Sequence, residues 1–268
     1  MKSRNLARLS VLLLGLVLAA VTSYFYSRSE QPQRTEKQST RYIAHAKPVK
    51  LALLDSGVHS QANVPLAGSL DFTKNERKSQ NSKQREIRAH ADVLAALILS
   101  ETRKNQREGP RILLYSLKVL DDEGYGVPAD LVRALEWCAH HRMDVVNISA
   151  GFRKSNAALE EAIGKVRERG AVVVAAAGNT YGLYTDFPAA YEQVLSVGAL
   201  DLKGRTARYS ATGKVDIYAP GHYGVQHGTS LASAYASARI AATFSRQEQL
   251  HHISKRINES IKKESNRI

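Results

Sequence analysis

Short apolar runs alternate along the chain with longer stretches in which apolar residues recur every three or four positions. The first pattern is typical of buried strands and the second of amphipathic helices. Strands are predicted at 49–54, 112–120, 144–148, 171–176 and 193–199, and helices at 86–103, 129–142, 155–169 and 230–243. This alternation predicts an α/β fold with a doubly wound, mainly parallel sheet and helices on both faces, which makes a three-layer sandwich.

The ends of the chain differ in composition from its middle. Residues 1–26 place Lys2, Arg4 and Arg8 before the apolar run LSVLLLGLVLAAV, the layout of a signal peptide or signal anchor. The apolar stretch approaches the roughly 20 residues that span a bilayer. An uncleaved anchor would place the protein at a bacterial inner membrane, facing the periplasm, and cleavage would release it as a secreted protein. Export is predicted in either case.

Three further segments follow this leader. Residues 27–47 are polar and predicted to be a linker, and residues 48–245 are predicted to form a single folded domain. Residues 246–268 carry apolar side chains every three or four positions among Lys and Arg, so a basic amphipathic helix is predicted there. Packing on the domain and contact with a membrane are both open roles for this helix.

The net charge of +13 does not by itself indicate a nucleic-acid-binding protein. The basic residues are spread over both ends and the stretch from Lys74 to Arg88, without interleaved aromatic residues. A solvated basic surface, or attraction to an anionic membrane or envelope polymer, is therefore predicted, and a nucleic-acid partner is not. The one cysteine, Cys138, excludes an internal disulfide and is predicted to be a buried thiol.

Chemistry is concentrated in separated segments that supply an acid, a base and a nucleophile. LALLDSGVHS contains Asp55, IRAHADVLAAL contains His90 and QHGTSLASAYAS contains Ser230. A serine hydroxyl becomes a nucleophile when an imidazole takes its proton and a carboxylate orients that imidazole. A fourth segment, VVVAAAGNT, contains a predicted strand that is followed by Asn179. The carboxamide of Asn179 could stabilise an oxyanion. The order is Asp, His, Asn, Ser.

Each of these residues also has a simpler interpretation. Asp55 could be a turn residue after a strand, and His90 would fall in the first turn of its predicted helix. Ser230 could be a helix N-cap, and Asn179 a left-handed turn residue after Gly178. The four segments together favour acyl transfer.

At these residues the chain resembles the subtilisin-like serine peptidases. The likeness continues through VLDDEGYGVPADLVRALEWCAHHRMDVVNIS and VLSVGALDLKGRTARYSATGKVDIYAPG, which look like the family's strands, substrate loop and helix, so it covers about residues 48–245. The main departure is HADVLAAL where the family usually has HGTHVAG, with Ala91 and Asp92 beside the base. Asp92 could perturb His90 or simply face solvent. Later, Leu231, Ala234 and Tyr235 stand where methionine, proline and histidine are common.

The resemblance also implies where a polypeptide substrate would lie. It would add as a strand between Gly124–Val127, which includes Tyr125 and Gly126, and the segment Ser149, Ala150 and Gly151. That second segment, with Ala177 and Gly178, would shape the pocket for the residue preceding the cleaved bond. The neighbouring Asp121, Asp122 and Glu123 could select a basic residue upstream in the substrate or form a plain solvated turn.

No cofactor is expected for this chemistry. The remaining histidines have no recognised metal-ligand spacing, so zinc is not predicted, and no oxygen-rich loop indicates structural calcium. Residues 27–47 are too short for the family's inhibitory prodomain, so unaided folding or a separate chaperone or regulatory partner is expected.

The leading hypothesis is a serine endopeptidase. The alternative is a catalytically inactive protein of the same fold that binds or scaffolds at the cell envelope. Charge alone would also fit an envelope-binding or nucleic-acid-binding protein.

Overall fold

In the computed structural model, the described residues are 47–73, 82–104 and 110–243, with the isolated position 259. The predicted signal segment at 1–26, the linker at 27–47 except Lys47, and the C-terminal helix at 246–268 apart from position 259 lie outside the described residues. Within the described ranges, no helix combines the length and the apolar character needed to cross a membrane.

A parallel sheet of seven strands forms the centre of the fold. Its strands are β1 Val49–Asp55, β2 Gly68–Asp71, β3 Ile112–Lys118, β4 Val145–Ile148, β5 Val172–Ala176, β6 Leu195–Leu200 and β7 Ile217–Pro220. They lie in the order β2-β3-β1-β4-β5-β6-β7, and every neighbouring pair is parallel. A short antiparallel hairpin follows, made of β8 His222–Tyr223 and β9 Gln226–His227.

Four helices of the described residues cover this sheet. They are α1 Ser82–Lys104, α2 Pro128–His140, α3 Ala157–Glu168 and α4 Thr229–Ala242, and one turn of 3₁₀ helix spans Ser60–Ala62. Alternate residues of a strand point to opposite faces of a sheet. In β1, Leu51 and Leu53 accordingly pack with α1 and α4, whereas Ala52 and Leu54 pack with α2 and α3. The predicted doubly wound three-layer α/β fold is confirmed.

The boundaries of several elements differ from the prediction. The helix predicted at 86–103 begins at Ser82, so His90 lies in its third turn and not in the first. The first residues of this helix are polar and lack the regular apolar spacing on which the prediction was based. Lys, Gln, Arg and Glu nevertheless have high intrinsic helix propensity. The strand predicted at 112–120 ends at Lys118. Beyond Lys118, the backbone N–H groups of Val119 and Leu120 both donate to the carbonyl of Asp55, so the regular strand pairing between β3 and β1 stops there.

Strand β2 at the edge of the sheet was not predicted. Its sequence, GSLD, lacks β-branched and aromatic residues, and only its pairing with β3 makes it extended. The buried state of Cys138 was predicted and is confirmed. The thiol lies in α2 with no exposed surface, and burial raises its pKa.

Candidate active site

The carboxyl ends of three neighbouring strands bring the first site residues together. Asp55 is the last residue of β1, Ser149 follows β4, and Ala177 follows β5. These strands are consecutive in the sheet and parallel, so their ends meet along one edge. Ligands of open α/β sheets bind at such an edge.

Asp55 and His90 form the best-defined pair of the site. The side chain of Asp55 is buried, and both of its carboxylate oxygens lie 3.0 Å from Nδ1 of His90. The backbone N–H and the hydroxyl of Ser56 also donate to Oδ1 of Asp55, at 2.7 and 3.0 Å. These contacts orient the imidazole with Nδ1 towards the carboxylate, which leaves Nε2 for other chemistry. The role of Ser56 was not predicted.

Electrostatics at this pair favour the charged imidazole. The negative charge of Asp55 raises the pKa of His90 above its usual 6.5, against the opposing effect of burial. A protonated imidazole cannot accept a proton, so a reaction that uses His90 as base gains rate as pH rises through this elevated pKa. The ion pair contributes stability that is fully present below pH 6.5 and is lost as pH rises through the folded-state pKa.

Ser230 is the second residue of α4, and its N-cap position is occupied by Gly228. The interpretation of Ser230 as a helix N-cap is therefore wrong. Helices α1 and α4 pack against each other, which brings the helix of His90 beside the helix of Ser230. Among the hydrogen bonds of the described residues, none joins the Ser230 hydroxyl to His90. Such bonds are often long in a substrate-free site and tighten when substrate binds.

Asn179 is exposed, and its amide group is held in one orientation. Its Oδ1 accepts hydrogen bonds from the backbone N–H and the hydroxyl of Thr229, at 3.0 and 3.1 Å. The Thr229 hydroxyl in turn accepts from the N–H of Gly178 at 3.2 Å. Because Oδ1 is occupied, the Nδ2 group remains as the donor, and it lies 3.4 Å from the position that a Cβ on Gly228 would take. The donor therefore lies beside the first residues of α4.

The simpler interpretation of Asn179 as a left-handed turn residue is wrong. The positive φ at this turn belongs to Gly178, at +108°, a conformation that other residues rarely adopt. Thr229, which positions Asn179, belongs to the segment QHGTSLASAYAS, and no role was predicted for it.

A cavity of about 560 Å³ opens beside His90. It is lined by Asp55, Ser56, His90, Leu120, Gly124, Val225, Gln226 and His227. It therefore runs between the predicted substrate segment at Gly124 and the hairpin that precedes Ser230. Of the predicted substrate residues, only Gly124 borders this cavity. Tyr125, Gly126, Ser149, Ala150, Gly151, Ala177 and Gly178 lie outside its lining.

The first predicted substrate segment is an exposed loop. Tyr125 is 69% exposed and Val127 is 53% exposed, while the backbone N–H and carbonyl of Tyr125 are bonded to Asp121 within the loop. The adjoining acidic residues serve the loop itself. Oδ1 of Asp121 accepts from the N–H groups of Glu123 and Tyr125, and Asp122 forms an ion pair with Lys118 at 2.8 Å. This arrangement favours the structural turn over selection of a basic residue by these acids.

The departure beside the base has a structural role. Asp92 accepts a hydrogen bond from the backbone N–H of His59 at 2.8 Å and lies 3.2 Å from Nδ1 of its ring. Asp92 therefore anchors the loop after β1. Neither expectation for it, perturbation of His90 or simple exposure to solvent, describes this contact, which joins positions 33 residues apart and has no local signal in the sequence.

The described residues contain no group of three or more His, Cys, Asp and Glu side chains placed to hold a metal ion.

Comparisons with known proteins place these observations in context. The sequence profile of the subtilase family matches residues 46–262. Subtilisin BL of Lederbergia lenta is 31% identical over 206 residues, which cover 72% of this chain and 75% of that protein. Thermitase of Thermoactinomyces vulgaris is 29% identical over 220 residues, covering 80% of this chain and 77% of that protein.

A longer relative and two solved structures extend the comparison. The minor extracellular protease Epr of Bacillus subtilis (strain 168) is 31% identical over 219 residues, 76% of this chain, but these span only 33% of Epr. The prenylagaramide maturation protease PagA aligns with a TM-score of 0.59 and 25% identity, over 74% of this chain and 76% of PagA. A point mutant of the protease domain of PatA has the same fold, with a TM-score of 0.61 and 24% identity over 76% of this chain and 82% of that domain.

Proposed function

This chain belongs to the subtilase family of serine-type endopeptidases, and from that membership we propose that it cleaves polypeptides through an acyl-enzyme on Ser230. The observation that carries the proposal is the buried Asp55 carboxylate, whose two oxygens both lie 3.0 Å from Nδ1 of His90. A carboxylate placed in this way orients an imidazole as a base and stabilises its charged form.

In the proposed reaction, the Ser230 hydroxyl attacks the scissile carbonyl while Nε2 of His90 takes its proton. The oxyanion accepts hydrogen bonds from Nδ2 of Asn179 and the backbone N–H of Ser230. His90 then gives its proton to the leaving amine, and water hydrolyses the ester by the same steps. Each proton moves between groups of this chain, its substrate and water, so we propose that the reaction needs no cofactor.

The substrate is proposed to lie as an added strand between Gly124–Val127 and Ser149–Gly151. The exposure of the first segment supports this placement, because an extended peptide that lies along it can bind through backbone hydrogen bonds whatever its side chains are. Extended binding of this kind also presents alternate substrate side chains to the two flanking walls.

One support for the alternative of an inactive binding protein is the altered segment at Asp92. That carboxylate is engaged with His59, and among the described side chains only Asp55 raises the pKa of His90. The departure therefore gives the alternative no specific support.

Covalent labelling of the full chain with a fluorophosphonate probe tests the proposal without knowledge of the substrate. We expect one probe adduct by intact mass in the wild type and none in Ser230→Ala. The matched control is Ser233→Ala, three residues further along α4, which should still label. Absence of an adduct in wild-type protein shown to be folded by circular dichroism would contradict the proposal and favour the binding protein.

We also propose that the protein is exported. The charged start and the apolar run LSVLLLGLVLAAV support this, as does the extracellular location stated in the name of Epr. Fractionation of cells that express a C-terminally tagged chain should recover the tag outside the cytoplasm. Recovery of all the tagged chain with the cytoplasmic fraction would refute export.

A further inference from the structure

A carboxylate that sequence reasoning did not single out lies between the two predicted pocket segments. Asp186 belongs to the loop between β5 and β6, and its backbone N–H donates to the carbonyl of Ala177 at 2.9 Å. On its other side, Phe152 and Phe187 exchange backbone hydrogen bonds at 2.6 and 2.8 Å. These bonds fix the loop against the ends of both β4 and β5.

The side chain of Asp186 lies directly over two glycines. A Cβ placed on Gly151 would be 3.3 Å from Oδ2 of Asp186, and a Cβ placed on Gly178 would overlap the same oxygen. Gly178 also has a φ of +108°, which glycine adopts without strain. Both positions therefore stay free of side chains, and the carboxylate occupies the wall that Gly151 and Gly178 share.

This carboxylate has no partner of its own among the described residues. It forms no ion pair within 4 Å and accepts no side-chain hydrogen bond there. The positive charge of Arg153 acts on Asp186, but its guanidinium donates to the Tyr184 hydroxyl at 2.8 Å and lies 4.3 Å from the centre of that ring. Burial raises the pKa of Asp186, and the charge of Arg153 opposes that rise. A partly desolvated carboxylate of this kind gains from an added cation.

We infer that Asp186 makes the pocket bounded by Gly151 and Gly178 selective for a substrate with Lys or Arg immediately before the cleaved bond. The inference rests on the proposed function, since the pocket is defined by the bond that Ser230 attacks. The carboxylate fills the space beside both glycines, so it would bind the cationic end of a basic substrate side chain that reaches this wall, through a charge-assisted hydrogen bond. The carboxylates of Asp121 and Asp122 are engaged within their own turn and have no part in this selection.

Matched peptide substrates that differ only at this position test the inference. Wild-type full-length protein should show a higher kcat/KM for Lys and Arg than for Leu. In Asp186→Asn, which keeps the shape of the side chain, we expect the Lys-to-Leu ratio of kcat/KM to fall roughly 10- to 100-fold, the range of a charge-assisted hydrogen bond. The cleavage of the Leu substrate should change little.

The control variant is Glu192→Gln, which removes one negative charge from the exposed part of the same loop. It should keep the wild-type ratio, because that charge lies outside the pocket. An equal fall of the ratio in Glu192→Gln would mean general attraction of cationic peptides and would overturn the assignment of Asp186. A wild-type enzyme without any preference for Lys or Arg would overturn it as well, even if Asp186→Asn failed to fold.

Fluorophosphonate labelling separates this inference from the proposed function. Labelling of Ser230 without a basic preference refutes only the role of Asp186. Failure of Ser230 to label in folded protein refutes the proposed peptidase activity, and the proposed selectivity of Asp186 is then refuted as well.

Discussion

Replacing Asp55 by Asn is expected to lower kcat by about four orders of magnitude, the size of effect found when the carboxylate of a catalytic triad loses its charge. The wild-type carboxylate accepts from Nδ1 of His90 through both oxygens at 3.0 Å and is fixed by two donors from Ser56. A carboxamide has nearly the same shape, but its NH₂ group can donate to Nδ1. The imidazole would then carry its proton on Nε2, where Ser230 needs an acceptor.

The same substitution should change the titration of His90. Asp55 is the largest cause of the raised pKa of His90, so Asp55→Asn should lower that pKa relative to the wild type. NMR titration of the imidazole in a Ser230→Ala background measures this without turnover. The acidic limb of the kcat/KM profile, set by the same group, should move to lower pH while its plateau falls. Retention of kcat within tenfold of the wild type would contradict the role of Asp55.

Much of this site could be predicted because its signals are local. Asp55 ends an apolar run, and Ser230 precedes a stretch of small residues, so each segment shows its own strand or helix in the sequence. The resemblance then supplied the pairing of Asp55 with His90, which are separated by 35 positions. The alternation of buried strands and amphipathic helices was likewise sufficient to predict the three layers.

The missed features depend on contacts between distant segments. The role of Asp92, two residues after the proposed base, depends on its hydrogen bond with His59, which lies 33 residues earlier in the chain. Strand β2 has no apolar period and exists through its pairing with β3. Asp186 stands in a loop without a recognisable motif, and only the return of that loop to Ala177 puts its carboxylate over Gly178. No pattern within any one of these segments contains that information.

The second large effect is expected at Asn179. Asn179→Ala should lower kcat by about 10²–10³ with little change in KM, because removing one oxyanion donor weakens the transition state more than the bound substrate. In the structure, the proposed donor is already held in one orientation before any substrate binds. Thr229 occupies Oδ1 through two hydrogen bonds, so the amide cannot turn its oxygen towards the developing negative charge without losing them.

Variants at Thr229 distinguish this preorganisation from a general packing effect. Thr229 is 1% exposed, and its hydroxyl links Asn179 to the N–H of Gly178. Thr229→Val keeps the shape but removes the hydroxyl, so kcat should fall, by less than in Asn179→Ala because the Thr229 backbone N–H still holds Oδ1. Thr229→Ser retains the hydroxyl and should restore most of kcat. If Asn179→Ala raised KM and left kcat unchanged, the side chain would bind substrate without stabilising the oxyanion, and the backbone N–H of Ser230 would remain as the proposed donor.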